Sequence, residues 1–431
     1  MGTLKGIHQW FKGKLVKSTL QLLSANVVAQ AIGFCMYPLL TRWYSPQDFG
    51  LLNLFLSIGG VLLLLATGSY YSAIVLPKTE DRGAACFHVG MGCNVLVTLL
   101  CVLSLFFSTQ IAALFGVPAL ADWYYLLPLY VFFSATWQLL NFWYVRNQQF
   151  GMVSTYQVSQ SGINAGAKGI FGYAGFLQGG MIISVVLAPL LSLCAVVASS
   201  FAKLKPLLLV QPKVCKEVAR TYQKFPLFSL PKQLVNYIGG NMPIFLLSPF
   251  FDLKYVGYFG MALTLSFVPL SLITRSFYQV LFAHVTQLVN QNKSIWKAYR
   301  GYLLVAVCVI AIGFTGLALV LPDLTGWLLG HDKWRMVGIY IQLMLPWLAI
   351  ITLTNTFDFI FDIFGKQDKQ FYVELALFVL RALALLWGIY LNDVWFAVMA
   401  FSYVSFLVRL LYAAYQYYLI HQYEKQRCNF I

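Results

Sequence analysis

The sequence predicts an all-α integral membrane protein of about 12 transmembrane helices, in two six-helix halves around a central cavity. Hydrophobic residues make up 60% of the 431-residue chain and charged residues 10%, against roughly 25% charge in soluble domains, whose surfaces face water. One large soluble core is no alternative, because single cores stop growing near ~300 residues. Apolar runs of the roughly 20 residues needed to cross a bilayer recur along the chain, and basic residues collect in alternate gaps between them. Aromatic residues, at 17%, suit a protein with many rings at headgroup level.

Residues 1–16 carry Lys5, Lys12 and Lys14 beside Trp10 and Phe11, which suits an interfacial amphipathic lead-in. They lack the short apolar core and small-residue cleavage site of a secretory signal. The first six expected spans cover 19–40, 49–70, 84–107, 121–142, 152–176 and 181–201. The segment 202–225 is the longest polar interruption, with six basic residues, Pro206 and Pro212. It reads as a basic cytoplasmic linker between an N-terminal half, 1–201, and a C-terminal half, 226–431. The later spans cover 226–250, 255–280, 302–321, 337–361, 371–391 and 394–419, and spans five and seven are the least apolar. Gaps on the far side are short, the longest near 322–336, so no external catalytic domain is expected.

With the N-terminus inside, 20 of the 29 basic residues fall in cytoplasmic segments, and only Arg42, Lys254, Lys333 and Arg335 fall outside. Lys and Arg accumulate in cytoplasmic loops, so an inner-membrane protein with both termini cytoplasmic is expected. The net charge of +15 is then a topology signal, and no nucleic-acid partner is inferred. Eight cysteines are scattered singly without metal spacing and read as small core hydrophobes. Five dispersed histidines make no metal motif, and no GxxxxGK[ST] occurs. No cofactor, metal or ATP motor is expected, so energy must come from gradients or from the substrate.

Two pairs of segments suggest an internal repeat. Ser45-Pro46-Gln47-Asp48-Phe49-Gly50 parallels Asp252-Leu253-Lys254-Tyr255-Val256-Gly257, and the elbow Arg146 to Phe150 parallels Lys366 to Phe371. A duplication with six spans per half makes the halves parallel repeats. Span five is studded with Gly162, Gly166, Gly169, Gly172 and Gly175, and Gly162 with Gly166 fits a small-xxx-small helix contact.

The run from Pro38 through Thr41-Arg42 and Ser45-Pro46 to Phe49-Gly50-Leu51 resembles a signature near the first external loop of polysaccharide transport proteins. Tyr71 to Glu80, containing Ile74-Val75-Leu76-Pro77, resembles the loop that follows in that family. This is the polysaccharide branch of the multidrug, oligosaccharidyl-lipid and polysaccharide (MOP) flippase superfamily, which includes Wzx-type O-antigen flippases and lipopolysaccharide biosynthesis membrane proteins. The resemblance implies flipping of undecaprenyl-diphosphate-linked oligosaccharide across the bacterial inner membrane. Membrane lipid and other polysaccharide-assembly proteins are the further partners it implies.

A charge at the bilayer centre costs roughly 2.5–3.5 kcal/mol on insertion scales and usually faces a cavity or a partner. Lys168, Arg381 and Arg409 lie deep in their expected spans, while Lys232 and Arg275 sit one or two turns from an end and can snorkel. These five are the expected lining of a cationic cavity. A guanidinium grips diphosphate oxygens through paired hydrogen bonds, and an ammonium acts as a point charge. Asp358 and Glu374 are the coupling-ion candidates, or structural partners of Lys366 and Lys369. Alternative functions are a multidrug/cation antiporter of the same superfamily, a membrane polymerase or ligase, and a scaffold. An antiporter of cations would want carboxylates in the cavity, which are scarce here.

Overall fold

The computed structural model describes the backbone of residues 14–208, 210–330 and 332–429. Most of the expected lead-in, 1–16, therefore lies outside the described residues. The described chain is helical apart from its connections and divides into two compact units, 1–237 and 238–431.

The first unit contains α1 (Lys14–Trp43), α2 (Pro46–Thr67), α3 (Glu80–Leu103), α4 (Leu127–Arg146), α5 (Phe150–Tyr173) and α6 (Leu177–Ser200). The unit division falls inside α7 (Leu230–Leu247), whose remainder opens the second unit. There follow α8 (Leu253–Asn290), α9 (Trp296–Leu329), α10 (Asp332–Asn355), α11 (Gln367–Tyr390) and α12 (Val394–Asn429). Eight of these helical stretches are long and apolar enough to cross a membrane. The others, α1, α4, α5 and α7, carry internal amides such as Gln30, Gln138, Gln157 and Asn241 that lower their hydropathy.

Where the apolar surface goes identifies the solvent. On α3, Leu96, Leu99, Leu100 and Leu103 are all more than half exposed, and Ile312 and Leu319 on α9 are about 80% exposed. In water, apolar area costs about 25 cal/mol per Å², so such ridges require lipid. The chain is a multi-pass membrane protein. Within the first unit, Trp143, Tyr144 and Tyr156 pack with Phe87 in the core, and Trp137 stacks on Tyr156 at 3.4 Å. The second unit centres on Tyr299, Tyr302, Phe357, Phe359, Phe361 and Tyr412.

Tight caps keep the connections short. Ser45 is the N-cap of α2, with Pro46 at the first helical position. The Asp48 amide donates to Ser45 Oγ at 3.2 Å, and the Ser45 amide donates to Asp48 Oδ2 at 2.7 Å, a reciprocal capping box. Asp252 caps α8 by accepting from the Lys254 amide at 2.9 Å. The two elbows compared above share one backbone motif. Gln148 and Gly365 both take positive φ, and the next amides, Gln149 and Lys366, both reach back 2.8 Å to the carbonyls of Tyr144 and Phe361. Each is a Schellman ending.

The basic segment after α6 is folded onto the first unit. Its short helix Pro212–Thr221 accepts a 3.3 Å hydrogen bond from Tyr70 Oη at the Ala219 carbonyl, and Glu217 faces Arg82 at 3.7 Å. Two expectations need correction. A Cβ built on Gly162 or Gly166 meets nothing within 4 Å, whereas one on Gly172 meets Trp43 and Tyr44 at 2.9 Å; the close approach of α5 to α1 is therefore made one and a half turns later. Cys86 and Cys101 are buried, but Cys35, Cys194 and Cys308 are exposed, so core packing accounts for only some cysteines.

Candidate functional site

The second unit holds a ladder of polar rungs between α11 and α12. Gln370, Glu374 and Arg381 lie four and seven residues apart on α11, and Ser405, Arg409 and Tyr412 four and three apart on α12. Helix periodicity puts each set on one face, and the antiparallel pair brings them together rung by rung.

Arg381 is 7% exposed. Its Nε donates to Ser405 Oγ at 2.8 Å, and its Nη1 donates to the Gly239 carbonyl of α7 at 3.3 Å. Its guanidinium lies over the rings of Phe401 and Trp347, 4.8 and 5.1 Å from their centroids, a cation–π arrangement strengthened by desolvation. It has no carboxylate within ion-pair distance among the described residues. Arg409 differs. Its Nη2 donates to Glu374 Oε1 at 2.6 Å, with the two side chains 12% and 11% exposed. Its Nε and Nη1 are buried without hydrogen-bond partners. On the third rung, Gln370 Nε2 donates to Tyr412 Oη at 3.1 Å, and Tyr412 in turn donates to Asp358 Oδ1 at 2.7 Å. Gln416 Nε2 adds a 3.4 Å bond to the same oxygen.

The expected pairing of Asp358 or Glu374 with Lys366 or Lys369 is therefore not found among the described residues. Glu374 takes Arg409, Asp358 takes Tyr412 and Gln416, and Lys369 pairs with exposed Asp368 at 3.8 Å. A separate 210 Å³ cavity in this unit is lined by Ser271 and Thr274 of α8 and by Thr352 and Asn355 of α10.

In the first unit, Lys168 is half-buried on α5 and its carbonyl accepts from Tyr44 Oη at 2.8 Å. Its ammonium makes no ion pair among the described residues. Lys232 is also half-buried, in the first turn of α7. The side chain of Arg275 lies outside the described residues, and α8 continues 15 residues beyond it to Asn290. A search for buried charge passes over Tyr412 and Gln416, which serve Asp358. It also misses the amides facing each other on α1 and α5. Their signal was the low apolarity of span five.

The two stretches that carried the family resemblance each contain a folding device. The first contains the capping box of α2. In the second, Arg146 donates from Nη1 to the Ile74 carbonyl at 2.9 Å and from Nη2 to the Thr79 carbonyl at 2.8 Å, and Tyr71 Oη donates to Gln233 Oε1 at 2.9 Å.

A family profile described as "Polysaccharide biosynthesis protein" matches residues 39–337. The chain belongs to this polysaccharide biosynthesis protein family. A relative is the succinoglycan biosynthesis transport protein ExoT of Rhizobium meliloti (strain 1021), 22% identical over 336 residues. That alignment takes in 75% of this chain but spans only 64% of the length of the relative. The fold extends the likeness. An inward-facing multidrug resistance MATE family transporter of the MOP superfamily superposes with a TM-score of 0.70 at 13% identity, covering 94% of this chain and 96% of that one. The lipid II flippase MurJ, in an inward closed conformation, superposes with a TM-score of 0.71 at 12% identity, covering 96% and 91%. This polysaccharide biosynthesis family protein thus has the MOP transporter fold.

Proposed function

We propose that the protein is a flippase, not an enzyme, that moves undecaprenyl-diphosphate-linked oligosaccharide repeat units across the bacterial inner membrane by alternating access. The product would feed O-antigen, capsule or exopolysaccharide synthesis. Twelve spans with both termini cytoplasmic complete the proposal, α1 to α12 each crossing once. Family membership and the alternation of basic gaps support it.

The observation that carries it is Arg381. Among the described residues this buried guanidinium is held by a hydroxyl, a carbonyl and two rings, with no carboxylate to neutralise it. Such a charge in a low-dielectric wall attracts anions, and a diphosphate supplies oxygens for the unused donors. Lys168 is another deep cation without an acidic partner among the described residues. Arg409 contributes less net charge, since Glu374 neutralises it. Lys232 and Arg275 remain peripheral members of the proposed set. Glu374 and Asp358 are the proposed coupling-ion positions, and a proton taken up at Glu374 would release Arg409. The antiporter alternative shares the fold, but a cationic drug would meet carboxylates already engaged by Arg409, Tyr412 and Gln416.

The test is flipping of a fluorescent prenyl-diphosphate glycan in proteoliposomes at matched protein levels. A charge-assisted hydrogen bond is worth roughly 1.5–3 kcal/mol, so Arg381→Ala should lower transport about 10- to 100-fold. Arg381→Lys, which keeps the charge and loses the fork, should fall between. Lys254→Ala should match the unaltered protein, because its 3.6 Å pair with Asp252 is exposed. Unaltered transport by Arg381→Ala would remove the proposed mechanism.

A further inference from the structure

The first unit contains a second polar site that the cationic residues do not explain. A cavity of 270 Å³ between α1 and α5 is lined by Asn26 and Gln30 from α1 and by Gln157, Gln160, Ser161 and Asn164 from α5. No charged side chain lines it. At ~100° per residue, the four α5 residues fall within roughly a third of the helix circumference, and Lys168 lies on the same face one turn beyond Asn164. Asn26 and Gln30 are likewise one turn apart on α1.

A structural explanation covers only part of this. Amides in spanning helices usually bridge neighbouring helices, and one bridge exists: Ser161 Oγ donates to the Ala29 carbonyl. Yet Gln30 Oε1, Gln157 Oε1 and Asn164 Oδ1 are all buried without a hydrogen-bond partner. Buried acceptor atoms of this kind are costly to leave unpaired and are normally satisfied. Three orphaned acceptors around one cavity leave a demand that the protein does not meet itself.

We propose that this cavity is a glycan-recognition subsite that takes the hydroxyls of a neutral sugar ring. A carboxamide offers an acceptor and two donors, and a sugar hydroxyl both donates and accepts, so an amide wall reads sugars without selecting charge. The volume lies just below the ~300 Å³ at which small-molecule pockets usually begin, which suits one ring and not a whole repeat unit. Gly33, the next turn of α1 on this face, has nothing within 4 Å of a built Cβ, leaving space between the cavity and the level of Lys168. A sugar seated among the amides would place its diphosphate towards that ammonium. The assignment rests on the flippase reading and narrows it: the glycan is read by the first unit, near the sugar bonded to the diphosphate.

The test measures binding to the purified full chain in nanodiscs with two probes, undecaprenyl diphosphate alone and undecaprenyl diphosphate carrying a neutral tetrasaccharide. The unaltered protein should prefer the glycolipid by at least tenfold. Gln157→Leu with Asn164→Leu, and separately Gln30→Leu on the facing helix, should bring that preference close to one. Binding of the bare lipid and the melting temperature should not fall, since each of these amides has an oxygen buried without a partner, and replacing it by an apolar group removes that desolvation penalty. An unchanged preference means that the cavity holds only water and overturns the proposal. Equal loss of both lipids with a lower melting temperature makes the amides structural and also overturns it. If the unaltered protein binds neither lipid, the flippase reading itself fails, a result distinct from loss of preference alone.

Discussion

Removing Glu374 should be more damaging than removing both Glu374 and Arg409. The pair is held at 2.6 Å with both side chains nearly 90% buried, and the other two nitrogens of Arg409 already lack partners. Glu374→Leu therefore strands a guanidinium with no hydrogen-bond acceptor among the described residues, and Arg409→Met strands a carboxylate. Breaking a buried pair from one side costs about 3–5 kcal/mol, so independent effects would sum to roughly 6–10 kcal/mol. Replacing both partners by apolar groups is instead often neutral. The double variant should lie within about 1 kcal/mol of the unaltered protein, for a coupling of at least about 5 kcal/mol. The assay is equilibrium unfolding of the purified protein in mixed micelles, followed by tryptophan fluorescence, for all four corners of the cycle. Neutral interhelical hydrogen bonds in membranes couple by only ~0.6 kcal/mol on average. A measured coupling below about 1 kcal/mol would refute a desolvated ion pair at this rung. A stable double variant also allows transport to be scored without a folding defect.

Ser45→Ala should destabilise the first unit by about 1 kcal/mol, read as a lower melting temperature, because it removes the hydroxyl that accepts from the Asp48 amide. Gly172→Val should cost about 1–3 kcal/mol by overpacking against Trp43 and Tyr44, while Gly166→Ala, whose added methyl meets nothing within 4 Å, should leave the melting temperature unchanged or slightly higher.

The helices were legible because a spanning segment announces itself by length and apolarity, and α2, α6 and α11 begin and end close to their expected limits. Ends that leave the apolar stretch were not. α8 runs to Asn290 and α12 to Asn429, since backbone hydrogen bonding continues wherever polar residues still favour helix. Arg381 and Arg409 stand out in sequence as charges in apolar runs, yet their different states did not. Whether a buried arginine keeps its charge free depends on what lies seven residues away on one helix and across a seam on the next. Glu374 reaches Arg409, whereas Arg381 meets Ser405. The amide cavity was hidden for another reason: Asn and Gln carry no charge to count, and only the facing of α1 with α5 makes six scattered residues a wall.

The capping box at Ser45 and the Arg146 staple of the Ile74 loop carry a consequence for how such proteins are classified. Both features answer to backbone geometry alone, the first starting a helix and the second holding a turn, and neither touches the polar cavity between α1 and α5. A sequence profile anchored on residues of this kind sorts proteins by scaffold and is blind to freight. If the amide cavity is the proposed glycan subsite, two members with the same signature can differ in the sugar they handle through a few amide substitutions on α1 and α5. Sorting these proteins by glycan would have to ignore the signature and compare the residues aligned with Asn26, Gln30, Gln157 and Asn164.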